Sequence, residues 1–115
     1  MNLNMDISKL GYCIKVAACI CGKDGVISQL EELSIFKLIN ERYPTYSDEN
    51  IELALDEFFD SNQQIEDYLA KIDDVQLREF TLELAEISAG ADELDVNENI
   101  ALDKAYLIWG IVRYV

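Results

Sequence analysis

An all-α fold, a compact bundle of about six helices, is predicted by three features of this 115-residue chain. Apolar residues recur at helical spacing along most of its length. No stretch alternates apolar and polar residues with the period of two that marks a half-buried strand, and a single proline interrupts the chain. Half of the residues are apolar, the composition of a folded protein. The length suits one domain, 1–115, whose core removes about two thirds of the unfolded chain's surface from water.

The first helix is expected over residues 8–21, where Leu10, Ile14, Ala17 and Cys21 follow one another at spacings of four, three and four, with Ser8 as N-cap. A second follows through Leu30, Leu33, Phe36 or Lys37, and Ile39. Ile35 and Leu38 widen its apolar face, which predicts a central helix ending before Pro44. Ser47 caps a third helix, with Asp48 and Glu49 at the positive end of its dipole and Ile51, Ala54, Leu55 and Phe58 turned inward. After the polar joint Asp60-Ser61-Asn62, Ile65, Tyr68, Leu69 and Ile72 mark a fourth. Asp73 or Asp74 caps a fifth, with a core stripe of Leu77, Phe80, Leu84 and Ile87 and a stop at Gly90. The last runs from near Val96 to Val112 and is apolar on most sides, so it is either a buried central helix or the cover of an interface, including a possible homodimer.

Two joints stand out. In Gly22-Lys23-Asp24-Gly25-Val26-Ile27-Ser28, Asp-Gly supplies turn chemistry, and Ser28 with Glu31 forms a capping box. Gly90-Ala91-Asp92-Glu93-Leu94-Asp95 repeats the scheme with Asp95 and Glu98 as cap and box partner, one residue shorter and without the glycine.

Charge is the unusual feature of the composition. Asp and Glu number 23 against 9 Lys and Arg, a formal net charge of −14. Such a chain repels a phosphate backbone, which argues against direct nucleic-acid binding, and it attracts divalent cations or a basic partner. The acidic runs Asp48–Asp67 and Glu79–Asp103 also read as solvated helix faces. Three clustered cysteines, Cys13, Cys19 and Cys21, and no histidine fit neither a secreted disulfide framework nor a zinc site. Cys13 and Cys21 fall on the apolar face of the first helix as small hydrophobes. The first six residues lack a basic start and an apolar run, and no apolar run approaches the roughly 20 residues of a membrane span. A cytoplasmic chain without membrane insertion is expected.

Acids gathered at constrained turns offer hard oxygen ligands, the chemistry of Ca²⁺ and Mg²⁺. The spacing is not that of an EF-hand, because Val26 and Ile27 interrupt the loop and Glu31 comes too soon. No activated nucleophile, histidine or Gly-rich phosphate loop is present, so no catalytic residues are assigned and a non-enzyme is expected.

Val16-Ala17-Ala18 with Gly22-Lys23-Asp24-Gly25-Val26-Ile27-Ser28 and Glu31-Glu32 resembles the Asp-Gly-x-Ile-Ser-x-x-Glu signature of the TerB-like tellurite-resistance family. Leu84–Ile87, Ala91–Asp95 and Glu98 resemble its second copy. The sequence departs from the pattern in lacking the glycine after Asp92 and in carrying Lys23 in place of the usual alanine. The resemblance implies an all-helical domain with internal pseudo-twofold repetition, here in units of about 9–42 and 74–112. It also implies an acidic centre of Asp24, Glu31, Asp92 and Glu98 that binds divalent cations, Ca²⁺ or Mg²⁺, where the turns approach. It further implies a role in tellurite and stress resistance or phage defence, often within membrane-associated multiprotein assemblies. Two alternatives stand beside it. The same four residues serve as turn and capping residues, and the chain reads as a metal-free acidic interaction module, an adaptor or a mimic of DNA charge, for a basic partner surface.

Overall fold

In a computed structural model, residues 7–22, 27–91 and 93–113 are described. A 3-10 turn, Ile7–Lys9, leads into six helices: α1 (Leu10–Cys21), α2 (Gln29–Arg42), α3 (Asp48–Phe59), α4 (Ile65–Leu69), α5 (Val75–Gly90) and α6 (Val96–Trp109). The described residues contain no strand. The all-α bundle of six helices is therefore the observed fold, and its radius of gyration of 13.0 Å is that of a folded chain of this length.

The core is built on α1. Leu10, Cys13, Ile14, Val16, Ala17, Ala18, Ile20 and Cys21 are all buried, which puts apolar atoms on nearly every side of one helix. Its most extensive partner is α5, which supplies Leu77, Phe80, Leu84, Ala85 and Ala89. The remaining helices pack around this pair: α2 lies against α5, α6 against both α5 and α1, and α3 and α4 against α1. Small residues, Ala17 and Ala18 on α1 and Ala85 and Ala89 on α5, are fully buried.

Neither α2 nor α6 is the central helix that its apolar content predicts. On α2 the buried side chains are Glu31, Ile35, Leu38 and Ile39, whereas Leu30 and Leu33 are more than half exposed. On α6 only Glu98, Ala101, Leu102 and Ala105 are buried, and Val96, Ile100 and Leu107 line its outer face. Ile87, placed by spacing on the core stripe of α5, is likewise exposed. Ser88 turns inward in the next position and donates its hydroxyl hydrogen to the Leu84 carbonyl at 2.6 Å.

Helix starts follow the sequence closely, apart from the first. The Ser28, Ser47, Asp74 and Asp95 side chains each accept from the backbone N–H three residues on. Asp74, not Asp73, caps α5, and Asp73 instead pairs with Lys9 at 3.0 Å. Ser8 does not cap α1, because it lies within the 3-10 turn, and α1 begins at Leu10 with Lys9 at the N-cap position and no side-chain cap. Two helix ends also differ. Gly90 is the last residue of α5, with Ala91 beyond it. The end of α6 falls at Trp109, not Val112, because Gly110 adopts a left-handed φ of 68° that lets the Ile111 N–H return to the Tyr106 carbonyl at 3.0 Å.

Candidate functional site

The two capping boxes bring their glutamates to one place. In the first, Glu31 N–H donates to Ser28 Oγ at 3.1 Å while Ser28 N–H donates to Glu31 Oε1 at 2.9 Å. In the second, Glu98 N–H donates to Asp95 Oδ1 at 2.7 Å while Asp95 N–H donates to Glu98 Oε1 at 3.0 Å. Each glutamate thus holds one oxygen on the backbone of its own helix start and keeps Oε2 for another partner.

Both glutamates are buried, Glu31 to 4 % and Glu98 to 5 % exposure. This follows from helical geometry. Glu31 lies one turn before Ile35 and two before Leu38 and Ile39, and Glu98 one turn before Leu102 and two before Ala105, so both continue the buried faces of their helices. The Glu98 carboxyl reaches that of Glu31 within hydrogen-bonding distance.

Burial pushes the Glu98 carboxyl up to about 7. The backbone N–H of Asp95 acts in the opposite direction, and the hydrogen bond and negative charge of Glu31, with the charge of Asp95, raise it further. Two carboxylates this close cannot both stay ionised without help. A proton held by Glu98 and donated to Glu31 is one solution, and a cation bridging the pair is the other.

The buried Cys21 thiol feels the charge of both glutamates and donates to Ser88 Oγ, with Sγ 3.4 Å from that oxygen. Burial pushes its thiol up to about 12, the Ser88 hydrogen bond lowers it, and the charges of Glu31 and Glu98 raise it. At neutral pH Cys21 is a neutral thiol, neither thiolate ligand nor nucleophile. Cys13, also buried, behaves in the same way, its thiol raised to about 12 chiefly by burial. Cys19 is partly exposed.

Gly22 fixes the approach to the first turn. A Cβ at this position would lie 3.0 Å from the Ala18 carbonyl oxygen and 3.1 Å from Ile27 Cγ1, so a side chain there would push apart the end of α1 and the residue preceding Ser28. On the other side, Glu93 holds a left-handed φ of 62°. It follows Asp92 directly, at the position where the second turn lacks its glycine, and adopts the conformation glycine takes most easily.

Of the four expected ligands, Glu31 and Glu98 come together; Asp24 and Asp92 lie outside the described residues. Among the described residues no three or more His, Cys, Asp and Glu side chains gather as a metal-ligand set. The free oxygens of Glu31 and Glu98 match the hard donors that Ca²⁺ and Mg²⁺ prefer, so the pair fits such an ion as part of a ligand set.

No family model, curated protein or solved structure matches the chain. The resemblance to TerB-like domains stands on the residues of the two turns. No helix among the described residues is long and apolar enough to cross a membrane.

The hydrogen bond between the Cys21 thiol and the Ser88 hydroxyl, which joins α1 to α5, had no signal in the sequence. The burial of the glutamates did have one. Each box partner stands four residues before an apolar residue of the buried stripe, Ile35 or Leu102.

Proposed function

We propose that this chain is a non-enzymatic, TerB-like acidic domain that binds or senses a divalent cation within a stress-resistance or phage-defence assembly. The observation that supports this is the meeting of Glu31 and Glu98, two buried carboxyl groups from separate helix starts, each with an oxygen left over. Ca²⁺ or Mg²⁺ would be held by Glu31 and Glu98, with Asp24 and Asp92 as the further acids of the two turns. Bound there, the ion supplies positive charge that ties the start of α2 to the start of α6. The capping boxes orient the glutamates by fixing one oxygen of each, and burial limits competition from water.

The test is a melting-temperature titration with Ca²⁺, Mg²⁺ and Mn²⁺ at matched ionic strength. A cation that binds the native state raises stability by mass action, about 2.7 kcal/mol at a hundredfold excess over Kd. The gain is expected to vanish in Asp24→Asn and in Glu31→Gln. Variants that respond as the parent does would show general screening of the −14 charge and overturn the cation site.

A second reading, a metal-free acidic adaptor or DNA-charge mimic, is favoured by one specific observation. Burial raises the Glu98 carboxyl to about 7, so it keeps a proton over part of the neutral range, and that proton can serve the pair without an ion. Five of the nine basic residues also serve internal ion pairs: Lys9 pairs with Asp73, Lys15 with Glu57, Arg42 with Glu83, Lys104 with Glu66, and Arg113 with Asp103 and Glu86. The remaining acids present a negative surface to a basic partner. Recovery of a basic protein at low but not high salt supports this reading, and melting unaffected by any divalent cation separates it from the first.

A further inference from the structure

A groove of about 250 Å³ runs between α2 and α3, lined by Glu32, Phe36, Glu52, Leu55, Asp56 and Phe59. Helical spacing builds it. Glu32 and Phe36 stand one turn apart on α2, and Glu52, Asp56 and Phe59 stand one and two turns apart along one side of α3. Leu55, 4 % exposed, closes the floor, while the Phe59 ring is 50 % exposed and Phe36 is half-buried.

The chemistry of this lining is one-sided. No basic side chain lines the groove, and Glu32, Glu52 and Asp56 take part in none of the ion pairs among the described residues. The nearest tie along α3 is Lys15 with Glu57, whose ammonium is spent on another face. Exposed aromatic faces attract a cation through the ring quadrupole, and carboxylates at the rim attract it by charge. The volume admits one long side chain with its neighbouring backbone, not a second folded helix.

We propose that this groove docks a basic segment of a partner protein, which lays a lysine or arginine side chain across Phe36 and Phe59 between Glu32, Glu52 and Asp56. Charge complementarity argues for that occupant over a second copy of this chain, because a copy would bring its own −14 charge to an acidic rim. The docking deepens the acidic-adaptor reading by giving it a place, and it does not depend on a cation at Glu31 and Glu98. Leu33, 56 % exposed and next to Glu32 on α2, offers apolar contact to the rest of an amphipathic segment.

The experiment titrates the ¹⁵N-labelled full chain, in buffer with a chelator, with a blocked hexapeptide of alternating arginine and leucine. The control peptide carries glutamine in place of arginine. Amide shifts are expected to concentrate on residues 32–36 and 52–59 with the arginine peptide only. Phe59→Leu, which keeps an apolar side chain but no ring, and Asp56→Asn are each expected to weaken binding about fivefold, equivalent to about 1 kcal/mol. Glu79→Gln, on α5, should bind as the parent does, and circular dichroism melts verify that every variant is folded. Shifts centred elsewhere overturn the groove while leaving an acidic adaptor in place. Absence of shifts, equal response to the glutamine peptide, or variants that bind like the parent also overturn it.

Discussion

The carboxyl group of Glu98 meets that of Glu31 in the protein interior, although each glutamate is also the box partner that starts its own helix. Local and tertiary roles thus fall on different oxygens of the same side chain. Oε1 closes the turn, and the rest of the carboxyl is left to link the start of α2 with the start of α6.

A pH dependence follows from this meeting. Folding raises the Glu98 carboxyl from the ordinary 4.5 to about 7, so the native state holds that proton more tightly than the unfolded chain. The stability it contributes is fully present below about pH 4.5 and is lost as pH rises through about 7. Without divalent cations, unfolding free energy from urea titrations is expected to fall by about 1–3 kcal/mol between pH 5.5 and 8. Glu98→Gln, which preserves the capping box, should flatten that fall. A parent profile that is level or rises over this interval would contradict the arrangement.

Glu31→Gln tests the same pair from the other side. Glutamine also serves as the third residue of a capping box, so the start of α2 is retained while the charge facing Glu98 is removed. The Glu98 titration, followed by carboxyl ¹³C shifts, is expected to move down from about 7. At pH 8 in chelator the variant should be more stable than the parent by about 1 kcal/mol, the scale of relieving one close like-charge contact. If instead Glu31 acts chiefly as a helix cap, the variant matches the parent and Glu98 titrates as before.

The core makes a sharper distinction than periodicity does. Leu84 and Ile87 are three residues apart on α5 and belong to one helical stripe by spacing, yet Leu84 is fully buried against α1 and Ile87 is 46 % exposed. Leu84→Ala leaves a cavity and is expected to cost about 2–5 kcal/mol. Ile87→Ala should cost under about 1 kcal/mol. Chemical denaturation of the two variants checks the order, and equal losses would place Ile87 back in the core.

Capping chemistry was the most legible layer, because a helix start is satisfied by residues within three positions of one another. Ser28, Ser47, Asp74 and Asp95 all cap as their sequence context predicts. Centrality was far less legible. The apolar residues of α2 and α6 exceed what their buried faces hold, and Leu33, Ile100 and Leu107 remain outside because α1, buried on nearly every side, fills the middle. The candidate site was legible as two acidic turns. The convergence of Glu31 with Glu98 depended on how α2 and α6 dock on α5 and α1, which no local pattern specifies.

The second turn offers a test in which sequence and backbone disagree. Glu93 carries a side chain at φ 62°, a left-handed conformation that costs an L-residue roughly 1–2 kcal/mol and glycine almost nothing. Its residue is exposed, so little side-chain packing is lost on truncation. Glycine gains freedom in the unfolded chain, which offsets part of the benefit, and the net expectation for Glu93→Gly is a stabilisation of about 0.5–1 kcal/mol. Because Glu93 lies two residues before the Asp95 cap, a turn relaxed in this way leaves the Asp95–Glu98 box intact. The Glu98 titration should therefore stay near 7 while the denaturation midpoint rises. A destabilised Glu93→Gly would mean that the glutamate side chain itself supports the turn.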